Sequence, residues 1–138
     1  MLLDRAVYST SIYSYELLVM SMITGKDYVF GVNGNHNTYR MVSPKIDGSK
    51  LKFKWEQVRG YLAQVSASTA SSAIWGVNAK GNIFYKSSPL EAFEPIGGGL
   101  KQVEAGGLGV FGVNKNDHIY YRIGTHENPG SKGTEWQQ

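Results

Sequence analysis

The tripeptide Gly-Val-Asn occurs three times, at 31–33, 76–78 and 112–114, with spacings of 45 and 36 residues. Each copy follows an aromatic residue (Phe30, Trp75, Phe111) and leads through a polar stretch to a second aromatic segment ending in a base. Those segments are Thr38-Tyr39-Arg40, Ile83-Phe84-Tyr85-Lys86 and Ile119-Tyr120-Tyr121-Arg122. A second block lies upstream of the tripeptide: Trp55 to Ala67 parallels Phe93 to Ala105 at a constant offset of 38, and Trp136 stands where the block opens again. Leu17 lies 14 residues before Gly31, as Leu62 lies 14 before Gly76. That register aligns Met20 with Val65 and Ser21 with Ser66, and it reads Leu17 to Ile23 as the first strand of an earlier repeat. A period near 40 residues means that each unit is one supersecondary element that buries its apolar face only against a neighbour.

Within a unit the local chemistry predicts four short strands. Leu62, Gln64 and Ser66 alternate with Ala63, Val65 and Ala67, the period of two of a strand with unlike faces. Ile74 to Asn78 is a second strand and Ile83 to Lys86 its return. Between them Ala79-Lys80-Gly81-Asn82 makes a tight turn, with Gly81 and Asn82 able to adopt the positive φ such turns need. Lys115-Asn116-Asp117-His118 does the same in the last unit. A fourth, shorter strand leads into Phe93 and Ile96. Gly76 and Gly112 fall mid-strand, where glycine is destabilising unless another backbone comes close, and the expected approach is from an adjacent unit. Four antiparallel strands per unit of this length predict propeller blades, with a β-solenoid as the second architecture. The chain is therefore expected to be all-β, with about three blades plus a stub. The repeat spans 17–138, divided near 17–54, 55–92 and 93–135, with a further blade opening at 136; residues 1–16 match nothing in it.

Seventeen glycines and nine tyrosines against four prolines agree with short aromatic strands joined by tight turns. With no cysteine, disulfides and thiolate metal sites are excluded from the chain. The net charge of +3 owes much to the run Arg40, Lys45, Lys50, Lys52, Lys54, Arg59, read as a solvated loop with an anionic ligand as the alternative. No helical stripe, phosphate loop or RNA-binding aromatic pattern accompanies it, so nucleic acid is not an expected partner. The apolar stretch at 17–23 is too short to span a bilayer, and Asp4 and Glu16 are ill placed for a signal peptide. His36, His118 and His126 read as surface residues, two of them in turns. The carboxylates are scattered, so no catalytic constellation is expected.

The phrases Leu-x-Gln-Val, Phe/Trp-Gly-Val-Asn, an Asn/Asp/Gly turn and Ile-x-Tyr-Arg/Lys resemble the tectonin repeat family. The stretch Gly109 to Arg122 and the tail Gly124 to Trp136 are most similar to the fish egg lectins. The resemblance implies a propeller lectin, here a truncated member. It implies binding of N-acetylglucosamine or bacterial surface polysaccharide, with lipopolysaccharide among the partners. It also implies a secreted or egg-stored protein with a part in innate defence. Three blades leave two sheet edges, so self-association to complete the propeller is expected. The alternative is an intracellular, cytoplasmic protein-interaction scaffold without sugar affinity.

Sugar binding needs an aromatic platform and planar polar groups that satisfy several hydroxyls. The repeat offers Asn78 and Asn114 after the second strand, Tyr85 and Tyr121 on the third, and Lys86 and Arg122 at its end. The competing reading places Trp55, Trp75, Phe111, Phe84 and Tyr120 in packing and lets Asn33, Asn78 and Asn114 close Asx-turns. No cofactor is expected. Calcium stays open through Asn116-Asp117, although these fall far short of its roughly six to eight oxygen ligands.

Overall fold

The computed structural model describes residues 19–24 and 28–138, none of them helical. Segment 1–16 and the start of the expected first strand, Leu17-Leu18, lie outside the described residues. Twelve strands make three four-stranded antiparallel sheets, each in simple meander order. The first holds β1 (Val19–Thr24), β2 (Val29–Asn33), β3 (Asn37–Asp47) and β4 (Lys50–Tyr61). The second holds β5 (Gln64–Ala67), β6 (Ile74–Val77), β7 (Ile83–Lys86) and β8 (Glu94–Ile96). The third holds β9 (Gln102–Gly106), β10 (Gly109–Val113), β11 (Ile119–Arg122) and β12 (Trp136–Gln137). The first strands of successive sheets lie side by side, β1 near β5 and β5 near β9, which is the arrangement of adjacent blades in part of a β-propeller.

The strands fall where the repeat predicts, but in a different phase. Trp55 sits on β4 and closes the first sheet, Glu94–Ile96 closes the second, and Trp136 pairs with Arg122 to close the third. Periodicity fixes the repeat length but not which neighbour a strand bonds to. The run from Lys45 to Lys54 is not a loop: β3 and β4 stay paired out to Asp47 and Lys50. The register of β1 also differs from expectation. Met22 stands opposite Gly31, as Val65 stands opposite Gly76 and Val103 opposite Gly112. Met22, not Met20, is thus the equivalent of Val65. The reason is a longer turn in the second sheet, where six residues separate the paired Ala67 and Ile74, against four between Ala105 and Val110 in the third.

The mid-strand glycines answer to their own blade. A Cβ at Gly76 would lie 2.7 Å from Leu62 Cδ1 and 3.0 Å from the Gln64 carbonyl, and one at Gly112 would meet Leu100 and the Gln102 carbonyl in the same way. The expected approach from an adjacent blade is therefore replaced by the leucine of Leu-x-Gln-Val folding back over the second strand.

Gln64 and Ser66 join blades instead. The Gln64 amide donates to the Val103 carbonyl at 2.7 Å and accepts from the Val103 N–H at 2.9 Å, while Ser66 Oγ accepts from the Ala105 N–H. Apolar burial does the rest. Phe30 and Val32 of the first sheet pack with Leu62, Val65 and Ile74 of the second. Trp75, Val77 and Ile83 of the second pack with Leu100, Val103 and Val110 of the third. Each such side chain contributes about 1.5–3 kcal/mol. The outer side of the third sheet is uncovered: Phe111 and Ile119 are 40% and 65% exposed, where Trp75 and Ile83 are 0% and 1%.

Candidate functional site

The three asparagines do one structural job. The Asn33 side-chain oxygen accepts the N–H groups of Asn35 and Asn37, Asn78 those of Lys80 and Asn82, and Asn114 those of Asn116 and His118. In each turn the third residue after the asparagine carries the positive φ: 63° at His36, 83° at Gly81 and 66° at Asp117. Asn78 and Asn114, expected as ligand groups, thus spend their amide oxygens on the hairpin. Asp117, weighed for calcium, is ion-paired with Lys101, which holds its carboxyl below the ordinary range by hydrogen bond and charge. Among the described residues no three His, Asp or Glu gather in a way that could hold a metal.

The bases at the ends of the third strands are buried, contrary to the expectation that charge and position turn them to a ligand. Lys86 Nζ lies 4.9 Å from the Phe30 ring centre and 4.5 Å from that of Phe93, and it donates to the Pro89 carbonyl at 3.4 Å. Burial first, and the charge of Arg40 second, lower its pKa to about 8, against a smaller opposing pull from Glu91. Arg122 lies over the Trp136 ring at 5.3 Å and donates Nε–H to the Lys132 carbonyl at 2.8 Å. Burial lowers its pKa, with Glu135 opposing. Ring faces attract a cation where water is displaced, so Lys86 ties the second blade to Phe30 of the first, whereas Arg122 is held within its own blade against the Trp136 it pairs with.

Tyr85 is buried against Trp75, ring centres 5.0 Å apart, and donates its O–H to the Gly130 carbonyl. Tyr121 is half-buried against Phe111, with ring centres 5.1 Å apart, and its hydroxyl accepts the His126 N–H at 3.3 Å. The six expected residues are spread over two blades and do not converge on one another.

A cleft of about 600 Å³ opens elsewhere, between the first and second sheets. Tyr28 and Phe30 give it an aromatic floor, Met41, Val42 and Pro44 an apolar wall, and Thr69, Ser71, Ser72 and Ser88 a rim of hydroxyls. Arg40 reaches in from β3, held by Glu56 at 2.8 Å and donating to the Pro89 carbonyl at 3.3 Å. The Tyr28 hydroxyl is buried without a hydrogen-bond partner among the described residues, and burial raises its pKa. Tyr28 packs edge-on against Phe30. None of Asn78, Tyr85, Lys86, Asn114, Tyr121 or Arg122 lines this cleft.

Repeat arithmetic hides the site because its polar groups sit where the repeats differ. Pairing across from Phe30, Trp75 and Phe111 makes Arg40 the register equivalent of Tyr85 and Tyr121, with Met41 in the place of Lys86 and Arg122. The one visible signal is the hydroxyl-rich stretch Ser68-Thr69-Ala70-Ser71-Ser72, longer than its counterpart.

The chain matches the Tectonin domain over residues 8–138. It is also 37% identical over 67 residues to Tectonin-1 of Physarum polycephalum, a match covering 48% of this chain and 30% of that protein. With three blades of one repeat and a family match over nearly its whole length, the chain belongs to the tectonin family of lectin-like β-propellers.

Proposed function

We propose that the chain is a carbohydrate-binding lectin that takes glycans into the cleft between its first and second sheets, without catalysis. The observation that carries this reading is the cleft itself, concave and aromatic-floored with a few converging polar groups, the usual make-up of a small-ligand site. The Tyr28 and Phe30 rings offer an apolar platform for a sugar face. Arg40 adds fixed donors, and the hydroxyls of Thr69, Ser72 and Ser88 give and accept as the ligand requires. Among the described residues no carboxylate or histidine lines the cleft, which supports binding over acid–base chemistry.

N-acetylglucosamine and bacterial surface polysaccharide, lipopolysaccharide included, are the glycans proposed, met outside the cell in an egg or innate-defence role. The test is titration of the folded chain with N-acetylglucosamine oligomers. Arg40→Ala is expected to weaken binding by at least about tenfold, the scale of a lost charge-assisted hydrogen bond, and Tyr121→Phe to leave it unchanged. The reverse pattern would move the site to the third sheet. A folded chain that binds no glycan would put the protein-interaction scaffold in its place.

A further inference from the structure

The third and fourth strands of the first sheet are far longer than their counterparts. β3 and β4 run 11 and 12 residues, against 4 and 3 for β7 and β8 and 4 and 2 for β11 and β12. Beyond the Arg40–Glu56 pair, seven more residues of β3 continue as a two-stranded ribbon to the turn at Gly48-Ser49. At about 3.3 Å per residue this stands roughly 20 Å out from the blade.

The ribbon has two unlike faces. Leu51, Phe53 and Trp55 alternate along β4 with Lys50, Lys52 and Lys54, so the apolar and the basic residues take opposite sides. Across the ladder Ile46 stands opposite Leu51, and Lys45 opposite Lys52. The Phe53 and Trp55 rings meet edge-on at 5.7 Å. At the tip Ile46 is 74% and Leu51 49% exposed. The only acid of the tip, Asp47, pairs with Lys52 at 2.5 Å. Four lysines against one aspartate leave an excess of three charges between 45 and 54, equal to the +3 of the whole chain.

Each feature opposes stability in water alone. Two lysines directly opposite repel, a lone two-stranded ribbon is marginal, and an apolar pair at its tip gains nothing from solvent. An anionic surface with an apolar interior relieves all three. A polyanion such as nucleic acid or an acidic glycan would neutralise the lysines but leave Ile46 and Leu51 in water.

We propose that the β3–β4 ribbon docks on anionic lipid bilayers, its Ile46–Leu51 tip entering the headgroup–acyl boundary while Lys45, Lys50, Lys52 and Lys54 hold lipid phosphates. Lysine stems can lie along the apolar layer with the ammonium at the phosphates. The ribbon residues 45–54 do not line the cleft, so this proposal and the glycan reading stand or fall separately.

Flotation of the full chain with phosphatidylcholine vesicles, with and without phosphatidylserine, tests it. Binding is expected only to the anionic vesicles and should fall with salt. Each lysine replaced by glutamine should lower partitioning roughly fivefold, the effect of about 1 kcal/mol per basic residue near the surface. Because the chain has no cysteine, Leu51→Cys carries a single polarity-sensitive dye, whose emission should shift to the blue on anionic vesicles. Ile46→Ser with Leu51→Ser should weaken binding while circular dichroism and the melting temperature stay as in the parent chain. Failure to float, or flotation unaffected by the lysine replacements, overturns the proposal. Binding to heparin and to vesicles alike without a dye shift overturns it in favour of an acidic polymer.

Discussion

At the junction of the first and second sheets, Arg40 of β3 reaches across to the Pro89 carbonyl, and the space beside it stays open. At the junction of the second and third, Tyr85 holds the same register position and donates to the Gly130 carbonyl. There the covering segment folds down: Ser71 Oγ donates to the Pro89-like carbonyl of Pro129 at 3.0 Å, and Tyr85 is only 6% exposed. What differs is the connection from third to fourth strand, seven residues at 87–93 and thirteen at 123–135. The longer one is built to stay put. Gly133, at φ 64°, passes so close to Ile123 and Arg122 that a Cβ would clash, and the Thr125 hydroxyl bonds the Val110 N–H and the Arg122 carbonyl. One repeat therefore yields an open and a filled junction, separated by the length of this connection and by Arg40 standing where the next third strand has Tyr85.

The filled junction should carry the larger share of stability, and Trp75→Ala tests that most severely. Trp75 is fully buried against Tyr85 and Trp136, with ring centres 5.0 and 6.1 Å away. Its truncation is expected to cost about 3–5 kcal/mol, the scale for a large aromatic lost from a core. Chemical denaturation of the variant checks it. A loss below about 1 kcal/mol, within the range of ordinary surface changes, would mean that the second and third blades do not depend on one another.

A smaller effect with a sharper meaning comes from shortening the covering segment. Replacing 126–132 by two serines removes the Tyr85–Gly130, Ser71–Pro129 and Arg122–Lys132 hydrogen bonds. The stability loss should be about 3 kcal/mol, near 1 kcal/mol for each bond. If connection length sets the open state, the variant gains a second cleft, and titration with the glycan should then give about twice the molar ratio of the parent chain. An unchanged ratio in a folded variant would show that Arg40, and not the open space, makes the site.

How far these junctions can be read in the sequence depends on what each feature leaves there. Gly-Val-Asn and its turns are local: an asparagine oxygen bonding two N–H groups within four residues recurs three times, so the hairpins were legible, although the positive φ falls at Gly81 and not also at Asn82. Leu-x-Gln-Val was legible as a strand only from Gln64 on, since Leu62 lies outside β5, and its partners were not legible, because Gln64 bonds Val103 across 39 residues. Burial of Lys86 was illegible for the same reason. The ring of Phe30 that covers it stands 56 residues away, and a lysine at a strand end reads as solvated until that neighbour is known. The cleft was hidden most deeply, since its rim lies in connections where the repeats differ and self-similarity says nothing.

The bases that end the third strands give the smallest and most specific contrast. Lys86 and Arg122 hold equivalent positions, each over an aromatic of the fourth-strand block, but only Lys86 also reaches the preceding blade, at Phe30. Both have lowered pKa values through burial, yet only lysine can lose its proton within reach of experiment, since arginine remains charged throughout. In the folded chain Lys86 titrates at about 8, below its ordinary 10.5. Between those values the unfolded chain binds more protons than the folded one, so the Lys86 contribution to stability rises with pH. Below about pH 8 both states are protonated, and the cost of burying the charge is felt in full. Lys86→Met keeps a long side chain between the rings without that charge. The variant's advantage over the parent, or its smaller deficit, should be greatest at pH 7 and should shrink by pH 9.5, still below ordinary tyrosine ionisation near 10. Arg122→Met, which also loses the bond to the Lys132 carbonyl, should be destabilised by the same amount at both pH values. Urea midpoints of the parent and the two variants at each pH decide the matter, and parallel shifts for both variants would mean that Lys86 keeps its proton in the fold and that the two bases are electrostatically alike.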